Sequence, residues 1–156
     1  MDYSFVPMNA DYADEIAYNW KYEGIYAFYD MTSDEDDLKE FLDPANWDGK
    51  YFAVLGSNKD LVGFLQFDSR HDVVEIGLGL KPELTGQGLG RGFVSAGLEY
   101  IQKSNPGVRR VVLNVACFNE RAVRLYKSLG FIVTSTEKVE TNGSMYNFFT
   151  MEKELD

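Results

Sequence analysis

The sequence predicts an α/β (α+β) domain, a mixed sheet with helices on its faces. Short runs rich in Val, Ile, Leu, Phe and Tyr recur as strand patterns, and apolar residues at helical spacing recur between them. A glycine-rich loop joins one of the strands to one of the helices. In chain order the elements read β-α-α-β-β-β-α-β-α-β-β.

Residues 3–7 read as the first strand, and Asn9 or Asp11 caps a helix that runs towards Trp20. Thr32-Ser33-Asp34-Glu35 has the capping-box pattern, which makes Thr32 the expected cap of a second helix. Leu38, Phe41 and Leu42 form the apolar stripe of that helix, and Pro44 ends it. Strand patterns at 51–55 and 61–67 flank Ser57-Asn58-Lys59-Asp60, turn chemistry that predicts a hairpin. The turn Ser69-Arg70-His71-Asp72 leads into a strand at 73–80 that contains Gly77 and Gly79. Glycines inside a strand predict a bulge, or close approach of a ligand or another part of the chain.

The helix after the glycine loop carries Leu89, Phe93, Ala96, Tyr100 and Ile101, and Asn105-Pro106-Gly107 stops it. Residues 110–116 read as a buried strand. Asn119 starts a helix with Ala122, Val123, Leu125, Tyr126 and Leu129 at apolar positions, closed by Gly130. Strands at 131–139 and 145–151 meet at Asn142-Gly143, a strong hairpin signal.

The chain has 156 residues and 45% apolar composition, which suits a single domain over 1–156 with one core. One cysteine, Cys117, excludes an intrachain disulfide. With a single His and a single Cys, no metal is expected. A net charge of −10 argues against nucleic acid as a partner. No basic leader and no apolar run of membrane-spanning length appears, so the sequence predicts a cytoplasmic protein without a membrane partner. A homodimer is compatible with the sequence.

Strand, glycine loop, helix is an anion-binding arrangement, because glycines admit a phosphate to the backbone and helical N–H groups point at it. The spacing rejects two users of this arrangement. No G-x-x-x-x-G-K-S/T string exists, and G-x-G-x-x-G fails because Arg91 and Phe93 stand where the third glycine is needed. Gly86, Gly88, Gly90 and Gly92 alternate, more glycine than a plain turn requires. Gly90 and Gly92 fall where the helix has begun, and each costs about 1 kcal/mol there relative to Ala.

The stretch from Gly77 through Lys81-Pro82-Glu83-Leu84 to Thr85-Gly86-Gln87-Gly88-Leu89-Gly90 resembles the acetyl-CoA motif of the GNAT N-acetyltransferase superfamily. Asn119-Glu120-Arg121-Ala122-Val123-Arg124-Leu125-Tyr126-Lys127-Ser128-Leu129-Gly130-Phe131 resembles that family's N-x-x-A-x-x-L-Y-x-x-x-G-F segment. Thr85 departs from the pattern, standing where the family usually has Arg or Gln, and Arg91 is the nearby cation.

The resemblance implies a GNAT-like, mostly antiparallel sheet of six to seven strands with about four helices, splayed where acetyl-CoA binds. It implies that acetyl-CoA is the co-substrate. Its pantetheine arm would pair with Leu78 and Leu80, its pyrophosphate would lie on Thr85, Gly86, Gln87, Gly88, Leu89, Gly90 and Arg91, and Asn119 would assist. Tyr126 would serve the departing thiolate. Glu75 is the expected base for the acceptor ammonium, with Glu23 in reserve. The implied reaction is acetyl transfer to a primary amine, on a small molecule or a peptide, by direct attack. The alternatives are a noncatalytic acyl-CoA-binding sensor and a transferase that uses a longer acyl group. The segment 20–30 holds Trp20, Tyr22, Tyr26, Phe28 and Tyr29, and the resemblance puts it over the acceptor. Packing of helices on the sheet is the competing use of those rings.

Overall fold

The computed structural model describes residues 2–155. Its strands are β1 (Ser4–Pro7), β2 (Tyr51–Leu55), β3 (Leu61–Arg70), β4 (Val73–Leu80), β5 (Arg110–Ala116), β6 (Ile132–Thr141) and β7 (Ser144–Glu154). Its α-helices are α1 (Ala10–Asn19), α2 (Glu35–Leu42), α3 (Gly90–Ser104) and α4 (Glu120–Ser128). The sheet is mixed and mostly antiparallel, with seven strands in the order β1-β2-β3-β4-β5-β7-β6. The pair β4–β5 is parallel, while β7 runs antiparallel to both β5 and β6.

The backbone divides into two compact units, Met1–Gln66 with Leu78–Leu89, and Phe67–Gly77 with Gly90–Asp156. In the first unit, Ile16, Ala17 and Trp20 from the α1 end pack with Phe41 of α2 and with Tyr51, Ala53 and Leu55 of β2. The Phe41 ring lies 5.8 Å from both Tyr51 and Phe64, and Trp20 lies 6.5 Å from Phe64. Trp20 is therefore a core residue, as the packing alternative requires.

Two local expectations change in this unit. The cap of α2 is Asp34, whose carboxylate accepts from the Asp37 amide at 3.0 Å. Thr32 instead lies in the short 3₁₀ turn Met31–Ser33, where it accepts from the Lys21 ammonium. Both residue types are good caps, and the preceding turn decided between them. Residues 24–29 also form a 3₁₀ helix that no periodicity in the sequence marks.

In the second unit, α3 buries Phe93, Val94, Gly97, Leu98 and Ile101. The buried stripe is rotated from the expected one. Ala96 and Tyr100 are only half-buried, and Tyr100 meets the Phe67 ring edge-on at 6.5 Å. Of the apolar positions expected on α4, only Val123 is fully buried. β3 continues to Arg70, leaving His71 in the turn with φ 59°. Asn142 and Gly143 take φ values of 52° and 77°, which builds the expected two-residue hairpin turn. β7 then inserts between β5 and β6, pairing with Arg110–Ala116 along seven residues.

Candidate functional site

The glycine loop begins in the first unit. Pro82–Leu84 forms a 3₁₀ turn after β4. The Thr85 hydroxyl closes that turn by donating to the Pro82 carbonyl at 2.7 Å, and the Gln87 side chain donates from Nε2 to the Glu83 carbonyl at 2.6 Å. Thr85 thus steadies the loop without contributing charge. Gly86 and Gly88 have φ of 73° and 76°, the left-handed region where a side chain is strained.

Gly90 and Gly92 lie in the second unit, in the first turn of α3, and have different reasons for being glycine. A Cβ on Gly90 would stand 2.8 Å from the Leu125 side chain, so close packing against α4 accounts for it. A Cβ on Gly92 would meet nothing within 4 Å. Packing within the chain therefore gives no reason for glycine at 92, where Ala would favour the helix. Arg91 donates from Nη1 to the Ser128 hydroxyl at 3.1 Å, and Ser128 donates onward to the Leu125 carbonyl at 2.6 Å.

The C-terminal end of β4 belongs to the first unit. A Cβ on Gly79 would overlap the Phe64 ring, so the expected close approach is made there by an aromatic side chain. The Leu80 carbonyl accepts from the Tyr22 hydroxyl at 2.8 Å, and the Lys81 amide donates to the Val62 carbonyl at 2.8 Å. The Tyr22 amide in turn donates to the Asp30 carboxylate at 2.8 Å. Burial, reinforced by the negative charges of Asp30 and Glu83, pushes the Tyr22 phenol well above its ordinary range. Tyr22 therefore stays a donor. Glu23 is exposed immediately after it. Leu78 and Leu80 are half-buried.

The other end of β4 belongs to the second unit. Its parallel register with β5 runs from Val73 to Glu75 against Arg110 to Val112. Glu75 is exposed and accepts from the Asn114 side-chain amide at 3.0 Å. The Asn114 oxygen accepts from the Thr150 hydroxyl at 2.9 Å. This chain of polar side chains orients the Glu75 carboxylate. The sequence offered no signal for it, because Asn114 and Thr150 meet only through the β5–β7 register.

Asn119 caps α4, its side chain accepting from the Ala122 amide at 3.2 Å. Tyr126 is half-buried on α4, and its ring meets Phe131 edge-on at 5.7 Å. Burial pushes the Cys117 thiol up, which disfavours the nucleophilic thiolate. His71 is exposed in its turn. Among the described residues, no helix is long and apolar enough to cross a membrane.

A glycine loop that passes from the end of β4 into the N-terminus of α3, in a protein with a mixed sheet, defines an α/β protein with an anion-binding loop. The chain belongs to the acetyltransferase (GNAT) family, whose model matches residues 12–131. It is 39% identical over 104 residues to a mycothiol acetyltransferase of Actinosynnema mirum, an alignment covering 65% of this chain and 34% of that protein. A mycothiol acetyltransferase of Saccharopolyspora erythraea is 31% identical over 114 residues, covering 69% of this chain and 35% of the relative. The chain thus spans about a third of the length of these relatives. Among solved structures, a spermidine N-acetyltransferase from Vibrio cholerae in complex with CoA and spermine has the same fold. Its TM-score is 0.75 at 22% identity, with 97% of this chain and 95% of that one covered.

Proposed function

We propose that this chain moves an acetyl group from acetyl-CoA to a primary amine by direct attack within a ternary complex. Gly92 is the observation that carries the reading: a helix-weakening residue with open space around it, at the N-terminus of α3, in a chain of the GNAT family. A phosphate needs that space and those helical N–H groups.

In this reading the pyrophosphate rests on residues 85–91, with Arg91 as the neighbouring cation. The pantetheine amides pair with the backbone of Leu78 and Leu80. The Leu80 carbonyl retains one lone pair beside the bond from Tyr22. Asn119 chiefly holds the N-terminus of α4. Glu75, oriented by Asn114, takes the proton that an ammonium must lose before it attacks. The amine nitrogen then bonds to the thioester carbon, the carbon–sulfur bond breaks, the nitrogen's remaining surplus proton passes to solvent or to the thiolate, and Tyr126 hydrogen-bonds the departing thiolate. Full proton transfer from a tyrosine of pKa about 10 to a thiol of pKa about 8.5 is uphill by about 2 kcal/mol, so the hydrogen bond is the main contribution.

The acceptor is a small-molecule amine or a peptide amine. The names of the relatives, which act on small molecules, support the former. A cytoplasmic setting suits acetyl-CoA. The test is an amine panel assayed for free CoA thiol, run beside calorimetric titration with acetyl-CoA. Turnover of at least one amine supports the proposal. Binding without turnover across the panel would instead favour an acyl-CoA sensor, and turnover only with longer acyl-CoA would change the donor.

A further inference from the structure

The backbone of β4 alternates in the side to which it offers its polar groups. Across a trans peptide the N–H and the C=O point in opposite directions. The Lys81 amide donates to the Val62 carbonyl of β3 at 2.8 Å, so the Leu80 carbonyl points away from β3. In a strand, every second residue directs its N–H and C=O to the same side, so Leu78 and Leu80 share that edge. The ladder with β5 runs from Val73 to Glu75, and both leucines lie beyond it.

Tyr22 stands at this edge. Its hydroxyl donates to the Leu80 carbonyl at 2.8 Å. Its amide donates to the Asp30 carboxylate at 2.8 Å, which holds the backbone from which the ring extends. The Asp30 amide is tied in turn to the Ala27 carbonyl at 3.0 Å, so the turn itself builds the placement of the phenol. The Tyr22 side chain is half-buried rather than sealed. A phenol has one proton to give and an oxygen that also accepts. The proton goes to Leu80, and burial, with the charges of Asp30 and Glu83, keeps it on the phenol. The oxygen offers an acceptor beside the Leu80 carbonyl.

A pantetheine arm calls for such a group. Its β-alanine unit separates the two amides by one carbon more than a peptide does. The arm therefore falls out of step with a strand, and the strand backbone alone cannot meet every amide.

We propose that Tyr22 is a coenzyme-binding residue whose phenol oxygen accepts an amide N–H of the pantetheine arm while its proton stays on the Leu80 carbonyl. This rests on the reading that acetyl-CoA lies along Leu78 and Leu80, and adds a side chain to that pairing. The Leu80 N–H meets a carbonyl of the arm, and the hydroxyl meets the N–H that has lost register. Donation to Leu80 makes the phenol oxygen a better acceptor, because hydrogen bonds in a chain polarise one another.

The test is calorimetric titration of the wild type and two variants with two ligands. One ligand is acetyl-CoA. The other is adenosine 3′-phosphate 5′-diphosphate, the nucleotide end of the coenzyme without its arm. Tyr22→Phe should bind acetyl-CoA about three- to tenfold more weakly and the nucleotide within about twofold of the wild type. The second variant replaces Tyr22 with para-aminophenylalanine, which still donates to Leu80 but accepts poorly, so it separates the fold from the contact. It should bind acetyl-CoA as weakly as Tyr22→Phe does. Wild-type affinity in the amino variant overturns the proposal, since donation to Leu80 would then be the whole role. Equal loss for both ligands in Tyr22→Phe also overturns it, by making the residue structural. Unchanged or tighter acetyl-CoA binding in Tyr22→Phe defeats this inference alone. A wild type that binds neither ligand defeats the acetyl-CoA reading and this inference with it.

Discussion

The Tyr22 hydroxyl donates a 2.8 Å hydrogen bond to the carbonyl oxygen of Leu80, joining the aromatic segment after α1 to the last residue of β4. The same tyrosine is held at its amide by Asp30. Tyr22→Phe keeps the ring and leaves the half-buried carbonyl without this donor. A loss of about 1–2 kcal/mol is expected in urea unfolding. An unchanged midpoint would show that water replaces the hydroxyl at no cost.

Gly92 separates ligand space from packing space. Gly92→Ala should leave stability unchanged or raise it by up to about 1 kcal/mol, because Ala is the better helix former. In calorimetry, the same variant should bind acetyl-CoA about tenfold or more weakly. Gly88→Val is a poorer probe, since φ of 76° strains any side chain there. Full affinity in a folded Gly92→Ala protein would detach α3 from phosphate binding.

Tyr126→Phe removes a hydroxyl and preserves the edge-on contact with Phe131. If that hydroxyl steadies the thiolate, kcat falls by about tenfold or more while coenzyme affinity barely changes. Unaltered turnover, with chemistry shown to be rate-limiting, would leave Tyr126 a packing residue of α4.

Glu75→Gln should lower kcat/KM most where the acceptor amine is protonated, with recovery as pH approaches the amine pKa of about 10. A pH–rate profile with one good amine separates the outcomes. A deficit that stays constant with pH would make Glu75 a positioning residue. No deficit would shift the search to Glu23 or to water as the base.

Asp37 is crowded electrostatically in the first turn of α2. Burial first, then the charges of Asp34, Glu40 and Asp36, raise its carboxyl above the ordinary value. A raised folded-state pKa means that protonation favours the folded protein. Its contribution is therefore fully present below the unfolded-state carboxyl pKa and is lost as pH rises through the folded value. Asp37→Asn should stabilise the protein slightly at neutral pH, by about 0.3–0.5 kcal/mol at this exposed site, less whatever the helix dipole gave the carboxylate. That difference should vanish in acid. Thermal melts of both proteins at neutral and acidic pH measure it, and a lower melting temperature for the variant at neutral pH would mean that the dipole outweighs the crowding.

The features legible in the sequence are those set by residues a few positions apart. Asn9 and Asn119 cap their helices because a side chain reaches an amide three residues on. Asn142-Gly143 turns the last hairpin because both residues accept positive φ. The glycine loop and the Asn119-to-Phe131 block are likewise contiguous strings, which is why the family is legible in the sequence alone. The tertiary structure alone decided what depends on strand order. Placing β7 between β5 and β6 brings Thr150 to Asn114, and the β4–β5 register brings Asn114 to Glu75. Phe64 accounts for Gly79, Leu125 for Gly90, and Tyr22 finds Leu80 from 58 residues away. Hydrophobic period and turn chemistry specify an element and its buried face. Which elements become neighbours is settled by the packing of the whole chain, where no single residue carries the signal.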